Sequence, residues 1–343
     1  MAIDYRSDTM TLPTDEMKEY MMQAPVGDDV WGEDPTIQQF QKEIAHLLGK
    51  DSALFFPTAT QVNLASVMAH CQRGEEYIVG QEAHCYKWEA GGAAVLGSVQ
   101  PQPIDLEDDG TLNLTTVEKF IKPNDQHHAI TKLLCIENTC AGKVLPIDYI
   151  QEARIFCDRH GLGLHMDGAR VFNAAIDLDV EVEKITKYPD TITLCLSKGL
   201  GCPAGAVLVG DQRLISKAFR WRKMLGGAFR QGGILAASGQ YALNHHIEDL
   251  AQDHENARTL SEGIRSLNDL RIQVNYQATN MLFVKISDKS LISFAKNRNI
   301  LFPDGEILRL VTHRNISAED IQSTLDMLKD WLGTCLDTNK TKE

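Results

Sequence analysis

Lys198 stands in TLCLSKGLGCPAG, directly after an apolar run and directly before glycines. Lysine is seldom buried unless something pairs or reacts with it, and a desolvated amine sheds its proton more readily and can attack a carbonyl. The glycines would let backbone come close to a planar ligand. Three other features share this position at the end of a run. Asp167 closes LHMDGAR, followed by Gly168 and Arg170; His84 opens a helical stretch in QEAHCYKWEAGG. In FFPTATQVN a helix start offers free N–H groups beside the hydroxyls of Thr58 and Thr60, which together make an anion site. Taken singly, each has an ordinary reading: a loop lysine, an Asp–Arg turn pair, a structural histidine, a capped helix. One cofactor uses all four. Pyridoxal phosphate takes a lysine for covalent attachment, a carboxylate for its pyridine nitrogen, an anion site for its phosphate and a flat group over its ring.

Such residues need a scaffold that gathers strand ends. SALFFPT, EEYIVG, KLLCIENT, LGLHMDGAR, TITLCLSKGL and AGAVLVG are short apolar runs that largely alternate with helical patterns. The alternation predicts an α/β fold, a mostly parallel sheet flanked by helices with ligands at the carboxyl ends of the strands. TIQQFQKEIAHLLGK, 36–50, reads as an amphipathic helix capped by Thr36 and ended by Gly49. Residues 212–267 turn helical and look like a connector. RIQVNYQATNMLFVKIS, LISFAKNRN, ILRLVTH and SAEDIQSTLDMLKDWL, with Ser317 as cap, read as a small α+β domain. The expected division is 1–250, an N-terminal arm and a large cofactor-binding domain, and 251–343, a small C-terminal domain whose tail DTNKTKE is frayed.

The composition, 43% hydrophobic and 24% charged over 343 residues, is that of a globular chain. A formal net charge of −13 argues against a broad basic surface for nucleic acid or anionic membrane and leaves a small molecule as the partner. No leader pattern opens the chain and no apolar stretch approaches a membrane span, so a cytoplasmic location is expected. The eight cysteines are scattered without a C-x-x-C pair, which points to neither disulfides nor a metal site.

RSDTMT at 6–11, PVGDDVWGEDPT at 25–36, YIVGQEAH and EAGGAAVLGSVQPQPI within 75–104, ENTCAGKVLP at 137–146, HMDGAR, LSKGLG, RWRKMLGGAFRQ, TNMLFV and RLVTH closely resemble the low-specificity L-threonine aldolases. The motifs keep that family's order over about residues 3–330. The resemblance implies the aspartate-aminotransferase-like fold (fold type I), a homotetramer built as a dimer of dimers with active sites at the dimer interface, and cleavage of L-threonine or L-allo-threonine to glycine and acetaldehyde. Another pyridoxal-phosphate lyase or racemase acting on small β-substituted amino acids is the alternative.

By the same resemblance Lys198 carries the cofactor, Asp167 pairs with the pyridine nitrogen, His84 stacks on the ring, and Thr58, Ala59 and Thr60 bind the phosphate. Alanine at 59 stands where glycine is usual, tolerable if its φ is negative and strained if positive. Arg170 serves cofactor and substrate alike, and Ser7, Arg170 and Arg309 take the substrate carboxylate, the arginines as planar forks. Lys223 and Arg230 resemble residues that reach a neighbouring subunit's cofactor phosphate; a basic helix face is their ordinary reading. Two positions depart from the pattern, Cys140 for histidine and Trp31 for tyrosine, both on the substrate side. A neutral thiol is a poor substitute for imidazole, so the base for the β-hydroxyl falls to His84 acting through water, with Glu89 second. The two departures are expected to relax or shift the choice between threo and erythro substrates.

Overall fold

The structure is a computed structural model and describes residues 2–340. Its central sheet has seven strands: β1 (Ser52–Phe56), β2 (Glu75–Gly80), β3 (Gln100–Ile104), β4 (Ile130–Glu137), β5 (Gly163–Asp167), β6 (Thr191–Cys195) and β7 (Ala206–Gly210). Their spatial order is β1-β7-β6-β5-β4-β2-β3. From β6 to β3 neighbours pair in parallel, as the alternation of strand and helix requires. β7 is antiparallel to both β6 and β1, because the Lys198 loop that joins β6 to β7 holds no crossover helix. β3 reads QPQPI, a segment that the apolar pattern passes over; Pro101 and Pro103 are tolerated because β3 is an edge strand.

Helix Pro35–Leu47 packs on this sheet through Ile37, Phe40 and Ile44. Its cap is Asp34 rather than the expected Thr36: Asp34 Oδ1 accepts from Ile37 N at 3.0 Å, and Pro35 fills the first turn, where a missing N–H costs nothing. The Thr36 hydroxyl instead donates to Pro25 O at 2.6 Å.

A second apolar cluster gathers Leu260, Ile264, Leu282, Val284, Leu308 and Trp331. It lies around the antiparallel strands Ile272–Tyr276, Met281–Ile286 and Ile307–Val311, with Met281–Ile286 in the middle. The start of the chain joins it: Ile3–Asp4 pairs in parallel with Ile300–Leu301, and buried Tyr5 meets Thr324 Oγ1 at 2.8 Å. Ser317 caps the last helix, Ala318–Lys340, through a 3.2 Å bond from Asp320 N. That helix continues through 337–340 of the tail expected to fray, and 341–343 lie outside the described residues. Among the described residues no helix is long and apolar enough to cross a membrane.

Candidate active site

Helix Ala59–His70 follows β1 and buries every residue from Val62 to Ala69. Within it Asn63, Ser66 and His70, at spacings of three and four, share one face. That face meets alternate residues of two strands, His165 and Asp167 of β5 and Thr191 and Thr193 of β6. The result is a buried polar seam. His70 Nε2 lies 2.8 Å from Thr191 Oγ1, Ser66 Oγ 2.9 Å from His165 Nδ1, and His165 Nε2 3.2 Å from Asn63 Oδ1. Thr193 Oγ1 donates to the same Oδ1 at 2.5 Å. At the carboxyl end of β5 the seam reaches Asp167, whose Oδ2 accepts from Asn63 Nδ2 at 2.7 Å and whose Oδ1 accepts from Ala169 N at 3.1 Å.

The other proton of the Asn63 amide goes to Glu89 Oε1 at 2.8 Å, and that oxygen also lies 2.9 Å from His84 Nδ1. One polar atom each of His84, Glu89 and Asp167 fall within 4.8 Å of one another. Its hydrogen bond to Glu89 raises the pKa of His84, with the Asp167 charge helping and burial and the Lys198 charge opposing. Burial raises that of Glu89 against the bonds from His84 and Asn63. Glu137, beside Asp167 in the β4–β5 register, accepts from His84 N at 2.8 Å. Burial, and then the Asp167 charge, push its carboxyl up to about 7.

Lys198 lies just past β6, the parallel neighbour of the strand that ends in Asp167. Its charge favours the ionised forms of Asp8 and Glu137 and opposes protonation of His84. A Cβ at Gly199 would fall 2.7 Å from Leu250 Cδ2, and Gly201 has φ +75°, so close packing at one and backbone conformation at the other call for glycine.

Asp8 takes two of the three nitrogens of Arg170 and leaves Nη1 for the substrate carboxylate that this arginine is expected to bind. Arg170 Nε and Nη2 donate to Asp8 Oδ2 and Oδ1 at 2.7 and 2.6 Å, the Arg170 side chain being 13% and that of Asp8 1% exposed. Burial alone would raise Asp8, yet the Arg170 charge and bonds hold its carboxyl well below the usual range. Asn280 Nδ2 adds a contact at 3.4 Å. The Arg309 side chain makes no hydrogen bond or ion pair among the described residues, and burial with the neighbouring Arg170 charge lowers its pKa. Ser7 precedes Asp8 and caps the turn Asp8–Met10 by accepting from Thr9 N at 3.2 Å.

Thr58 is the N-cap of helix Ala59–His70, accepting from Gln61 N at 3.2 Å, and its hydroxyl proton remains available. Ala59 is the first helical residue and is not among those with positive φ, so its methyl brings no backbone strain. Thr60 is exposed beside it.

Three expected residues are exposed. Trp31, 76% exposed, ends the turn Asp29–Trp31, and Lys223 is exposed at the end of helix Gln212–Met224. Arg230 Nη1 reaches Asp28 Oδ2 at 2.9 Å, tying this segment to the Trp31 turn. Cys140 is buried beside a small cavity with Gly110, Leu112, Glu137 and Tyr149, and burial pushes its thiol up to about 12.

Asp8, Asn63, Glu137 and Asn280 were given no role from sequence. Asp8, Glu137 and Asn280 lie inside quoted motifs, RSDTMT, ENTCAGKVLP and TNMLFV, and Asn63 and Ser66 are the polar residues of the otherwise apolar run 62–69; those were the available signs.

A sequence model described as beta-eliminating lyase matches residues 4–287. The low specificity L-threonine aldolase of Escherichia coli K12 is 53% identical over 322 residues, 93% of this chain and 96% of its own. This chain belongs to the low-specificity L-threonine aldolase family. Within that family, a probable low-specificity L-threonine aldolase 2 of Arabidopsis thaliana is 41% identical over 338 residues, 94% of this chain and 95% of its own. The solved structure of Leishmania major threonine aldolase has a TM-score of 0.83 at 22% identity, covering 96% of this chain and 99% of that one. The fold is therefore the threonine aldolase one, aspartate-aminotransferase-like and of fold type I.

Proposed function

We propose that this chain is a carbon–carbon lyase that cleaves L-threonine and L-allo-threonine to glycine and acetaldehyde with pyridoxal phosphate as cofactor. The observation that carries the reading is the gathering of Lys198, Asp167 and the His84–Glu89 pair at the carboxyl ends of β5 and β6 in a member of the aldolase family. The donor set fits the cofactor. The first N–H groups of helix Ala59–His70 have no intrahelical acceptor, and with the Thr58 and Thr60 hydroxyls they would hold the phosphate. Asp167 would face the pyridine nitrogen, Lys198 would carry the covalent link, and His84 would lie against the ring.

Bound there, the cofactor supplies a sink for the electron pair left on Cα when the Cα–Cβ bond breaks. The chain supplies orientation and the proton path. Arg309, Ser7 and the remaining Nη1 of Arg170 would bind the substrate carboxylate, which fixes the bond at Cα presented for cleavage. Asp8 holds Arg170 in place for this. Glu89 takes the Nδ1–H of His84, so Nε2 carries the lone pair that accepts the β-hydroxyl proton, directly or through one water. Cys140 is a neutral thiol walled in by Gly110 and takes no proton from substrate.

The assembly read here is a homotetramer, a dimer of dimers with sites at the dimer interface. It is supported by exposed Trp31, Trp88, Val95 and Met224, and by the place of Lys223 and Arg230 on the surface. A cytoplasmic location is supported by the free buried cysteines from Cys71 to Cys202.

Product analysis tests the function. Purified protein supplied with pyridoxal phosphate and either threonine diastereomer should release glycine and acetaldehyde in equal amounts. Ammonia and a keto acid instead would establish an elimination and overturn the reading.

A further inference from the structure

We propose that Asn63 is a positioning residue for the cleavage: one buried amide fixes both Asp167 and the Glu89 that stands behind His84, so these groups are held as a unit. The proposal deepens the function proposed above and rests on it. Asn63 is fully buried, and its two amide protons go to Asp167 Oδ2 and Glu89 Oε1 at 2.7 and 2.8 Å. Its orientation is dictated from the other side. Oδ1 accepts from Thr193 Oγ1, and His165 Nε2 stands 3.2 Å away. A flipped amide would press its oxygen against two carboxylates and its N–H groups against donors. Burial pushes His165 down to about 4, so it stays neutral; with Nδ1 accepting from Ser66 or Thr191, Nε2 keeps the proton and donates to Asn63.

The groups that face this unit come from every neighbouring element. His84 faces Glu89, Asp167, Lys198 and, through its backbone N–H, Glu137; Asp167 faces Asn63, Glu137, His84, His165 and Cys85; Glu89 faces Asn63, His84, Asp167, Cys85 and Tyr77. Without the amide, Glu89 keeps one of the two hydrogen bonds that oppose its burial and protonates more easily. Less negative charge then stands behind His84, and the imidazole becomes a weaker base. Asp167 meanwhile loses the contact that sets the direction of its Oδ2.

The test is Asn63→Leu, similar in shape and without donors, made in the full chain with Ser66→Ala as control from the same seam. Carbethoxylation of His84, followed by mass spectrometry as a function of pH before and after pyridoxal phosphate is added, reports the ionisation of that residue alone. Asn63→Leu should move the His84 titration down by about one pH unit. It should also lower kcat for L-threonine by about 100-fold with a much smaller change in KM. Ser66→Ala should move neither. An unshifted His84 titration in folded Asn63→Leu overturns the proposal, as does a Ser66→Ala protein that reproduces both changes, which would make the effect one of general packing. If Asn63→Leu does not fold, Thr193→Val, which removes one anchor of Oδ1, should shift His84 in the same direction by less, and no shift overturns the proposal. Wild-type protein that fails to cleave threonine defeats the function proposed above, and the His84 titration then decides the role of Asn63 alone.

Discussion

Asp8 and Arg170 form a buried two-pronged ion pair, and breaking such a pair on one side costs more than removing both charges. Arg170→Gln should therefore destabilise the protein by about 3–5 kcal/mol, with much of the loss recovered in Asp8→Asn/Arg170→Gln; urea unfolding of the single and double variants measures both. The pH dependence has a definite sign. Asp8 is held below its ordinary 3.8 in the folded protein, so the pair's stabilisation is present above that value and is lost as pH falls through the folded value. The wild-type advantage over the double variant should shrink on acidification and nowhere near neutrality. His84 runs the other way. Its raised pKa is due first to Glu89, so Glu89→Gln should bring the acid limb of the kcat/KM profile to lower pH while reducing the plateau. At position 140, burial keeps the thiol neutral and out of proton transfer; Cys140→His should shift the ratio of kcat/KM for L-threonine to that for L-allo-threonine, and an unchanged ratio removes this residue from substrate choice.

Asp34 caps two helices and ties a loop from one position. Its carboxylate accepts from Ile37 N at the start of helix Pro35–Leu47, from Gly233 N at the start of helix Gly233–His245, and from Gly27 N at 3.3 Å. Asp34→Ala should cost at least about 2 kcal/mol, above an ordinary cap, because the buried Gly233 N–H is left without an acceptor; the urea midpoint reads it. This element also shows how far sequence reasoning reaches. Ile37, Phe40, Ile44 and Leu47 specify the helix by spacing alone, yet Thr36 and Asp34 are both good caps, and only the position of Gly233, far along the chain, decides between them. Alternation of apolar runs with helices likewise marked the parallel strands, whereas β3 is built of residues that no periodicity favours and is placed by the pairing offered along β2. Of the proposed site, Asp167 and His84 stand out in the sequence because each ends or opens an element, and Lys198 because it follows an apolar strand. Asn63 was not: it lies inside an element, and its meaning comes from strands more than 100 residues away.

Seen as a whole molecule, the chain divides its proposed site residues into a convergent set around Lys198 and Asp167 and an exposed set made of Trp31, Lys223 and Arg230. Within one protomer Arg230 is paired with Asp28, and its proposed part in phosphate binding is at the site of a neighbour. A mixing experiment separates the arrangements. Lys198→Ala and Arg230→Ala proteins should each be strongly impaired, the first for want of the attachment point and the second for weak phosphate binding at limiting cofactor. When the two are unfolded together and reassembled, a mixed dimer contains one site with the intact Lys198 of one protomer and the intact Arg230 of the other. Random association then restores about one quarter of wild-type activity, since half of the dimers are mixed and each has one complete site. If Arg230 serves its own protomer's site, every site in the mixture carries one lesion or the other and nothing is regained. The size of the recovery thus reads directly whether the catalytic unit is one folded chain or a pair.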